Sequence, residues 1–356
     1  MDRRPDMDAL AAAKRRQYVK KEKRKHRILV TLLAVTLIAV WGIIIFALYN
    51  LWAPTVPAPV TEATLPMTEE VTTARIPTGT LETEPPRTET LSLTAADVHR
   101  GELVLVSTLL ERAYVFPEDE RDLVTLYGNK SDSYRVSSSA IKLTRTTMAA
   151  LDEMFDAFLA ETGSRDYQIT QGYRTLAEQT EIYDSYQELY GAEQGALLAA
   201  RPGYSEHHTG MAIDMNVYTA SGVSYSLATA SDADPIYAWI YANAAKYGFV
   251  LRYPENKTTL TGITNEPWHF RYVGRGHAAY MSENGLTLEE YLALLARHTA
   301  ASPLTFTADG VDYAVFYVPL GGENTEIELP LGADYTVSGD NEGGFIVTLR
   351  TAVTVE

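Results

Sequence analysis

The chain has 356 residues, 46% of them hydrophobic, and a formal net charge of −16. That is apolar material enough for one sizeable packed domain with accessories, which excludes a chain disordered throughout. Residues 1 to 27 carry 11 Lys/Arg against 4 Asp/Glu, leaving the remainder at −23, a field that repels phosphates and argues against nucleic-acid binding.

The basic segment 1–27 runs into "ILVTLLAVTLIAVWGIIIFALYNLW", residues 28–52, without one charged residue. At ~1.5 Å rise per residue a helix of that length crosses a ~30 Å hydrocarbon core. A secretory signal has a shorter apolar region, about 7–15 residues, and ends in an A-x-A cleavage site that is missing here. The expectation is therefore an uncleaved transmembrane helix. With "KKEKRKHR" held on the cytoplasmic side, the chain is expected to be a single-pass cell-membrane protein whose folded part lies outside. Residues 53–90, rich in Pro, Thr and Glu with almost no aromatics, cannot bury enough apolar surface to offset their ordering entropy and read as a disordered stalk.

Aromatic and aliphatic residues return over 91–300, the expected main domain. "TTMAALDEMFDAFLAETG" places Met148, Leu151, Phe155, Phe158 and Leu159 on one helical face. "DADPIYAWIYANAAKYG" has Asp234 as N-cap, Pro235 in the first turn and Gly248 past the end, the punctuation of one helix. "TLEEYLALLAR" opens on a Thr287-x-x-Glu290 capping box. Between them, "DYQITQGYR", "GMAIDMNV", "GFVLRYP" and "WHFRYVG" read as short strands. The pattern predicts an α+β domain, a small antiparallel sheet flanked by helices. Residues 301–356 alternate as β segments separated by Gly, Pro and Asn and predict a small all-β module with no evident chemistry.

In "SEHHTGMAIDMN" the alternation buries Met211, Ile213, Met215 and Val217 and turns Asp214 to the opposite face. An aspartate in an apolar stretch needs a partner, and Gly210 lets the backbone bend so that His207 can reach it. Taken alone, two histidines and an aspartate more often mean hydrogen bonds in a loop than metal ligands. "NEPWHFRYVG" adds Glu266 and, three places on, His269 at the start of an aromatic strand, which on its own also reads as a strand with a surface histidine. The chain has no cysteine, so disulfides are excluded and any metal site must use histidine and carboxylate. Catalytic zinc takes three protein ligands and a nearby carboxylate base; His207, Asp214 and His269 fill the first role and Glu266 the second.

The pair "SEHHTGMAID" and "EPWH" resembles the SxHxxGxAxD and ExxH signatures of the VanY-type zinc D-alanyl-D-alanine carboxypeptidases, relatives of the VanX dipeptidases and of Hedgehog-like peptidase folds. "QGYRTLAEQ" is similar to a third family segment, in the family order, and the resemblance spans about Asp97 to His298. It implies one Zn2+ held by His207, Asp214 and His269, with Glu266 as the base that takes a proton from water. It also implies that Arg174 binds the scissile carbonyl as it becomes an oxyanion, and that Gln179 and Ser205 contact substrate. His208 departs from the pattern and reads as a residue behind the ligands or at the surface. His277 and His298 fall near helix ends, where solvent exposure is expected, and His99 resembles a domain-start position.

The function so implied is removal of the C-terminal D-alanine from peptidoglycan stem peptides. An L,D-carboxypeptidase acting on tetrapeptides is the nearest alternative. A non-catalytic, zinc-stabilised wall-binding module is the alternative of a different class, and such a module requires neither Glu266 nor Arg174.

Overall fold

The computed structural model describes residues 87–117 and 122–352. The basic segment, the span expected at 28–52 and the stalk through residue 86 lie outside them. Among the described residues no helix is long and apolar enough to cross a membrane.

Strand β1 (Thr88–Thr94) runs into a 3₁₀ turn at Ala95–His99, and the next strands are β2 (Leu123–Thr125), β3 (Arg135–Val136) and β4 (Lys142–Thr144). Helix α1 (Arg145–Thr162) obeys the apolar spacing of its sequence. Leu151, Met154, Phe155 and Phe158 are fully buried, and the Thr144 hydroxyl accepts from the Thr147 amide at the N-terminus. Met148 and Leu159 sit at the margin of that face. Next come β5 (Tyr167–Gln171), α2 (Leu176–Tyr190) behind a Thr175/Glu178 capping box, α3 (Ala192–Leu198), β6 (Ala212–Tyr218), β7 (Ser224–Ser226) and α4 (Leu227–Ala233).

The single helix expected over 234–248 is divided. A 3₁₀ turn at Pro235–Ala238, the short α5 (Trp239–Asn243) and a second 3₁₀ turn at Ala244–Tyr247 replace it, with Asp234 capping the start and Gly248 closing the end. Tyr237, Trp239 and Tyr241 reach three different acceptors, Asp166, Glu161 and the Pro267 carbonyl. Alternating turn types let these side chains diverge as a regular helix would not.

Strand β8 (Phe249–Leu251), α6 (Thr258–Thr261) and β9 (His269–Tyr272) complete the central sheet, ordered β3-β5-β6-β9-β8 with β7 attached to β6. Its pairings are antiparallel except the short parallel β3–β5 edge, so the small antiparallel sheet expected from the sequence is present with one exception. Its apolar face, through Ile169, Ile213, Met215, Val217 and Phe270, packs on α1.

Helices α7 (Arg275–Asn284) and α8 (Leu288–Leu295) lead to β10 (Leu304–Ala308), β11 (Val311–Pro319), β12 (Asn324–Pro330), β13 (Asp334–Gly339) and β14 (Gly344–Ala352). The Thr287/Glu290 capping box is formed at the head of α8. Four of these strands make a sheet in the order β10-β11-β14-β13, whereas β12 pairs with β1. The four-stranded sheet is covered on both faces: Tyr313, Val315 and Ile346 meet Tyr291 and Leu295, and Phe316, Phe345 and Val347 meet Ile327, Leu329 and Val98. Residues 301–352 are thus packed onto the preceding domain.

Two expectations are corrected here. Among the described residues regular structure begins at Thr88, inside the segment expected to be stalk, because Leu91 and Leu93 turn inward while Thr90 and Ser92 donate to Glu328 and Glu326 on β12. His277 is buried, not solvated: it lies in the first turn of α7 against the β sheet, its Nδ1 2.8 Å from the Tyr291 hydroxyl and its Nε2 3.1 Å from that of Thr348.

Candidate active site

The site is built on the middle of the central sheet. Period-two alternation in β6 commits Ile213, Met215 and Val217 to the core and sends Asp214 out of the other face. The β6–β9 register sets Asp214 directly opposite His269. Their side chains meet, with His269 Nδ1 3.0 Å from Asp214 Oδ1.

His207 arrives from a 3₁₀ turn, Glu206–Thr209, that ends on Gly210 in the left-handed conformation, φ 69°. A side chain at Gly210 would also run into Leu123, so the reversal that returns the chain to β6 requires glycine. The ring of His207 stands edge-on to that of His269, centroids 4.9 Å apart. Its Nδ1 donates to the Gly172 carbonyl at 2.7 Å, which leaves Nε2 facing Asp214 Oδ2 at 3.3 Å. Gly172 has no room for a side chain: a methyl there would collide with the Lys142 carbonyl and lie 2.9 Å from Ile141 Cγ2.

Glu266 sits just ahead of β9, its Oε2 3.6 Å from His269 Nδ1. Arg174, beyond the end of β5, points its Nη2 at Asp214 Oδ2 from 3.8 Å and donates from Nη1 to Gln179 Oε1 at 2.7 Å. Gln179 is buried on α2 and in turn donates to the Ala200 carbonyl, so its amide holds the guanidinium in place. Ser205 lines the cavity at the start of the His207 turn. His208 is buried behind it: Nδ1 donates to the Arg174 carbonyl at 2.7 Å and Nε2 accepts from the Gly203 amide at 3.1 Å. His99 bonds to Asn341, between β13 and β14, and His298 to the Ser302 carbonyl, neither of them a member of the cluster.

Electrostatics divide the groups by role. Burial, reinforced by the Arg174 charge, pushes His207 down to about 4, so it is a neutral ring with a free lone pair at neutral pH. Burial alone would raise Asp214, but His207 and His269 hold it well below the usual carboxylate range. Burial opposes charge on His269 as well, yet the carboxylates of Asp214, Glu206 and Glu266 carry it up to about 9 in the metal-free protein. Glu266 goes the other way. Burial pushes it up to about 7, with Asp214 and Glu206 adding to the effect and His269 and Arg174 opposing it. A carboxyl poised there can both take and return a proton.

One nitrogen from each of His207 and His269 and one oxygen from Asp214 lie within 4.8 Å of one another, and no other such group of three occurs among the described residues. A tetrahedral ion with ~2.0–2.1 Å bonds separates its ligand atoms by roughly 3.3 Å. His207 Nε2 lies 3.3 Å from Asp214 Oδ2 and His269 Nδ1 3.0 Å from Oδ1, so both rings approach the carboxylate at about that spacing, each to a different oxygen. Two imidazoles and one carboxylate, with Glu266 alongside and a cavity in front, suit a catalytic zinc ion. The cavity, about 400 Å³, is walled by Ile182, Tyr186 and Tyr190 of α2 and by Trp268.

The sequence-predicted ligands, the base and Arg174 all converge on this cavity. What motif reading passed over is the layer beneath. Glu206 is fully enclosed and bonded to Arg252 and Arg271, and Arg252 is bonded in turn to Glu289. The signal was available: "VLRYP" and "HFRYV" each place an arginine in an apolar strand, and a charge in such a position demands a buried partner.

Comparison with known proteins matches residues 140–275 to the VanY family, described as D-alanyl-D-alanine carboxypeptidase. The D-alanyl-D-alanine carboxypeptidase of Enterococcus faecium is 34% identical over 266 residues, 74% of this chain and 79% of that protein. The bifunctional D-Ala-D-Ala dipeptidase and D-Ala-D-Ala carboxypeptidase VanXYC of Enterococcus gallinarum is 37% identical over 142 residues, 37% of this chain and 70% of that one. Among solved structures, the vancomycin-resistance D,D-dipeptidase VanXYg in complex with a D-Ala-D-Ala phosphinate analogue superposes with a TM-score of 0.60 at 28% identity. That match covers 74% of this chain and all of the other.

Proposed function

Because this chain belongs to the VanY family of D-alanyl-D-alanine carboxypeptidases, we propose that it removes the terminal D-alanine of peptidoglycan stem peptides with one zinc ion held by His207, Asp214 and His269. The observation that carries the assignment is the cross-strand pairing of Asp214 with His269, closed by His207 Nε2 at 3.3 Å, beside a carboxyl group raised to about 7.

A zinc ion in this site supplies Lewis acidity that polarises the scissile carbonyl and acidifies a water molecule. His207 and His269 contribute neutral ring nitrogens and Asp214 a carboxylate oxygen. Glu266 removes the proton from the attacking water and passes it to the nitrogen of the departing D-alanine. Arg174, locked by Gln179, meets the carbonyl oxygen as negative charge accumulates on it, an interaction that strengthens on the way to the transition state. Ser205 and the aromatic wall of Tyr186, Tyr190 and Trp268 line the space in which the peptide lies.

The charge-free run at residues 28–52 and the basic segment ahead of it support a single-pass cell-membrane location, N-terminus in the cytoplasm and peptidase outside. Digestion of defined penta- and tetrapeptide stems tests the reaction. The expected result is chelator-sensitive release of D-alanine from the pentapeptide. Exclusive cleavage of the tetrapeptide would favour the L,D reading, and no release from either would leave a non-catalytic binding module. Fractionation of cells producing the chain with and without residues 28–52 tests the anchor.

A further inference from the structure

The two histidines of the site present opposite nitrogens, and different partners hold them. His207 gives Nδ1 to the Gly172 carbonyl and turns Nε2 to the cluster. His269 turns Nδ1 to the cluster, 3.0 Å from Asp214, and its Nε2 faces inward. There it meets Glu206 Oε2 at 3.7 Å. Both of these atoms are fully buried and neither has a hydrogen-bond partner.

The other oxygen of Glu206 is fully engaged. Oε1 accepts from Arg252 Nε at 2.8 Å and from Arg271 Nη1 at 3.0 Å. Those guanidiniums are themselves immobilised. Arg252 makes a bidentate pair with Glu289, at 2.9 and 2.6 Å. Arg271 donates to the carbonyls of Tyr272, Glu102 and Val104. Were Glu206 present only to neutralise buried arginines, both of its oxygens would be expected on them, since an unpaired oxygen in a closed interior is costly. Instead one oxygen is clamped and the other is aimed at a metal ligand. Sequence periodicity accounts for the neighbourhood: His269 and Arg271 are two apart on β9 and share a face, so the arginine that secures Glu206 travels with the histidine that Glu206 addresses.

We propose that Glu206 is the positioning carboxylate of His269. It accepts Nε2–H, fixes the tautomer and ring plane, and keeps the Nδ1 lone pair directed at the zinc. A carboxylate behind a metal-bound imidazole raises the basicity of the ligand and narrows its orientation, and removing such a partner typically lowers metal affinity about 10–100-fold. The inference rests on the zinc reading above and adds a determinant of affinity outside the ligand set.

Zinc affinity, measured by competition with a chromophoric chelator on the full chain in detergent, tests it with two variants. Glu206→Gln is expected to weaken zinc binding by about 10–100-fold. Glu289→Gln loosens the same ion network one residue further from the metal; it is expected to lower the melting temperature and leave zinc affinity within about threefold of wild type, since only direct partners of a ligand carry the affinity effect. Equal zinc affinity in Glu206→Gln and wild type would overturn the proposal, as would equal losses in the two variants. Should Glu206→Gln not fold, the histidine side-chain ¹H–¹⁵N spectrum of the zinc-loaded wild type decides: a protonated Nε2 on His269 is expected, and a protonated Nδ1 overturns it. A wild-type chain that binds no zinc would instead overturn the metal reading, and this one with it.

Discussion

Asp214 and His269 occupy facing positions on two antiparallel strands, and that register alone brings a carboxylate oxygen to 3.0 Å from an imidazole nitrogen. A slip of one residue in either strand would send one of the two side chains to the far face of the sheet. The cluster is therefore only as secure as the β6–β9 ladder, whose core-facing partners Ile213 and Phe270 are fully buried.

Glu266 lies 3.6 Å from His269 Nδ1 without being one of the tightly grouped set. Glu266→Gln is expected to keep zinc at wild-type stoichiometry by elemental analysis while D-alanine release falls about 10²–10⁴-fold, the range for loss of a general base. His207→Ala, in contrast, should lose the metal itself.

Arg174 and Gln179 act as a pair. Arg174→Ala should lower kcat by about 10²–10³-fold, as for removal of an oxyanion donor. Gln179→Leu leaves the guanidinium in the site but unsecured, and its expected loss of up to about 100-fold is the cost of misplacement. Steady-state kinetics on a pentapeptide stem compare the two; a larger loss in Gln179→Leu than in Arg174→Ala would contradict the division of roles.

Gly172 supports His207 by leaving space and by presenting its carbonyl. Gly172→Ala forces apart the Lys142 carbonyl and Ile141, an overpacking expected to cost about 1–3 kcal/mol. Because the residue that must shift carries the carbonyl that fixes the His207 tautomer, that of Gly172 itself, zinc affinity should fall with stability. Denaturant titration and chelator competition on one preparation measure both.

His277 gives the pH dependence a component remote from the metal. Burial depresses it to about 4 from an ordinary value of 6.5, so the folded protein resists the proton that the unfolded chain accepts. Its contribution is intact above pH 6.5 and is lost as the pH falls towards 4, by up to about 3 kcal/mol for full burial. His277→Gln should flatten the fall in melting temperature between pH 6.5 and 4; an unchanged slope would show that other groups carry it.

The catalytic face was legible because its information is local. Alternation in "GMAIDMNV" fixes which way Asp214 points, Gly210 permits the bend before it, and two short motifs hold the three residues whose ligand-type atoms cluster. Helix α2, absent from the expected elements, carries a Thr175/Glu178 capping box that announces its start. The clamp on Glu206 was hidden for another reason: its members, Arg252 just past β8, Arg271 on β9 and Glu289 on α8, lie far apart in the chain and share no spacing with it. The pairing of β1 with β12 joins residues 230 to 242 positions apart, and no pattern in either strand specifies the other.

That pairing has a mechanical consequence. A pull on the chain from upstream of Thr88 runs along β1, where the rungs from Thr88 to Thr94 share the load in shear against Asn324–Pro330. The first partner to take that force is β12, which is no part of the sheet carrying Asp214 and His269. Were the chain anchored as proposed, tension on it and peptide cleavage would fall on different parts of one molecule.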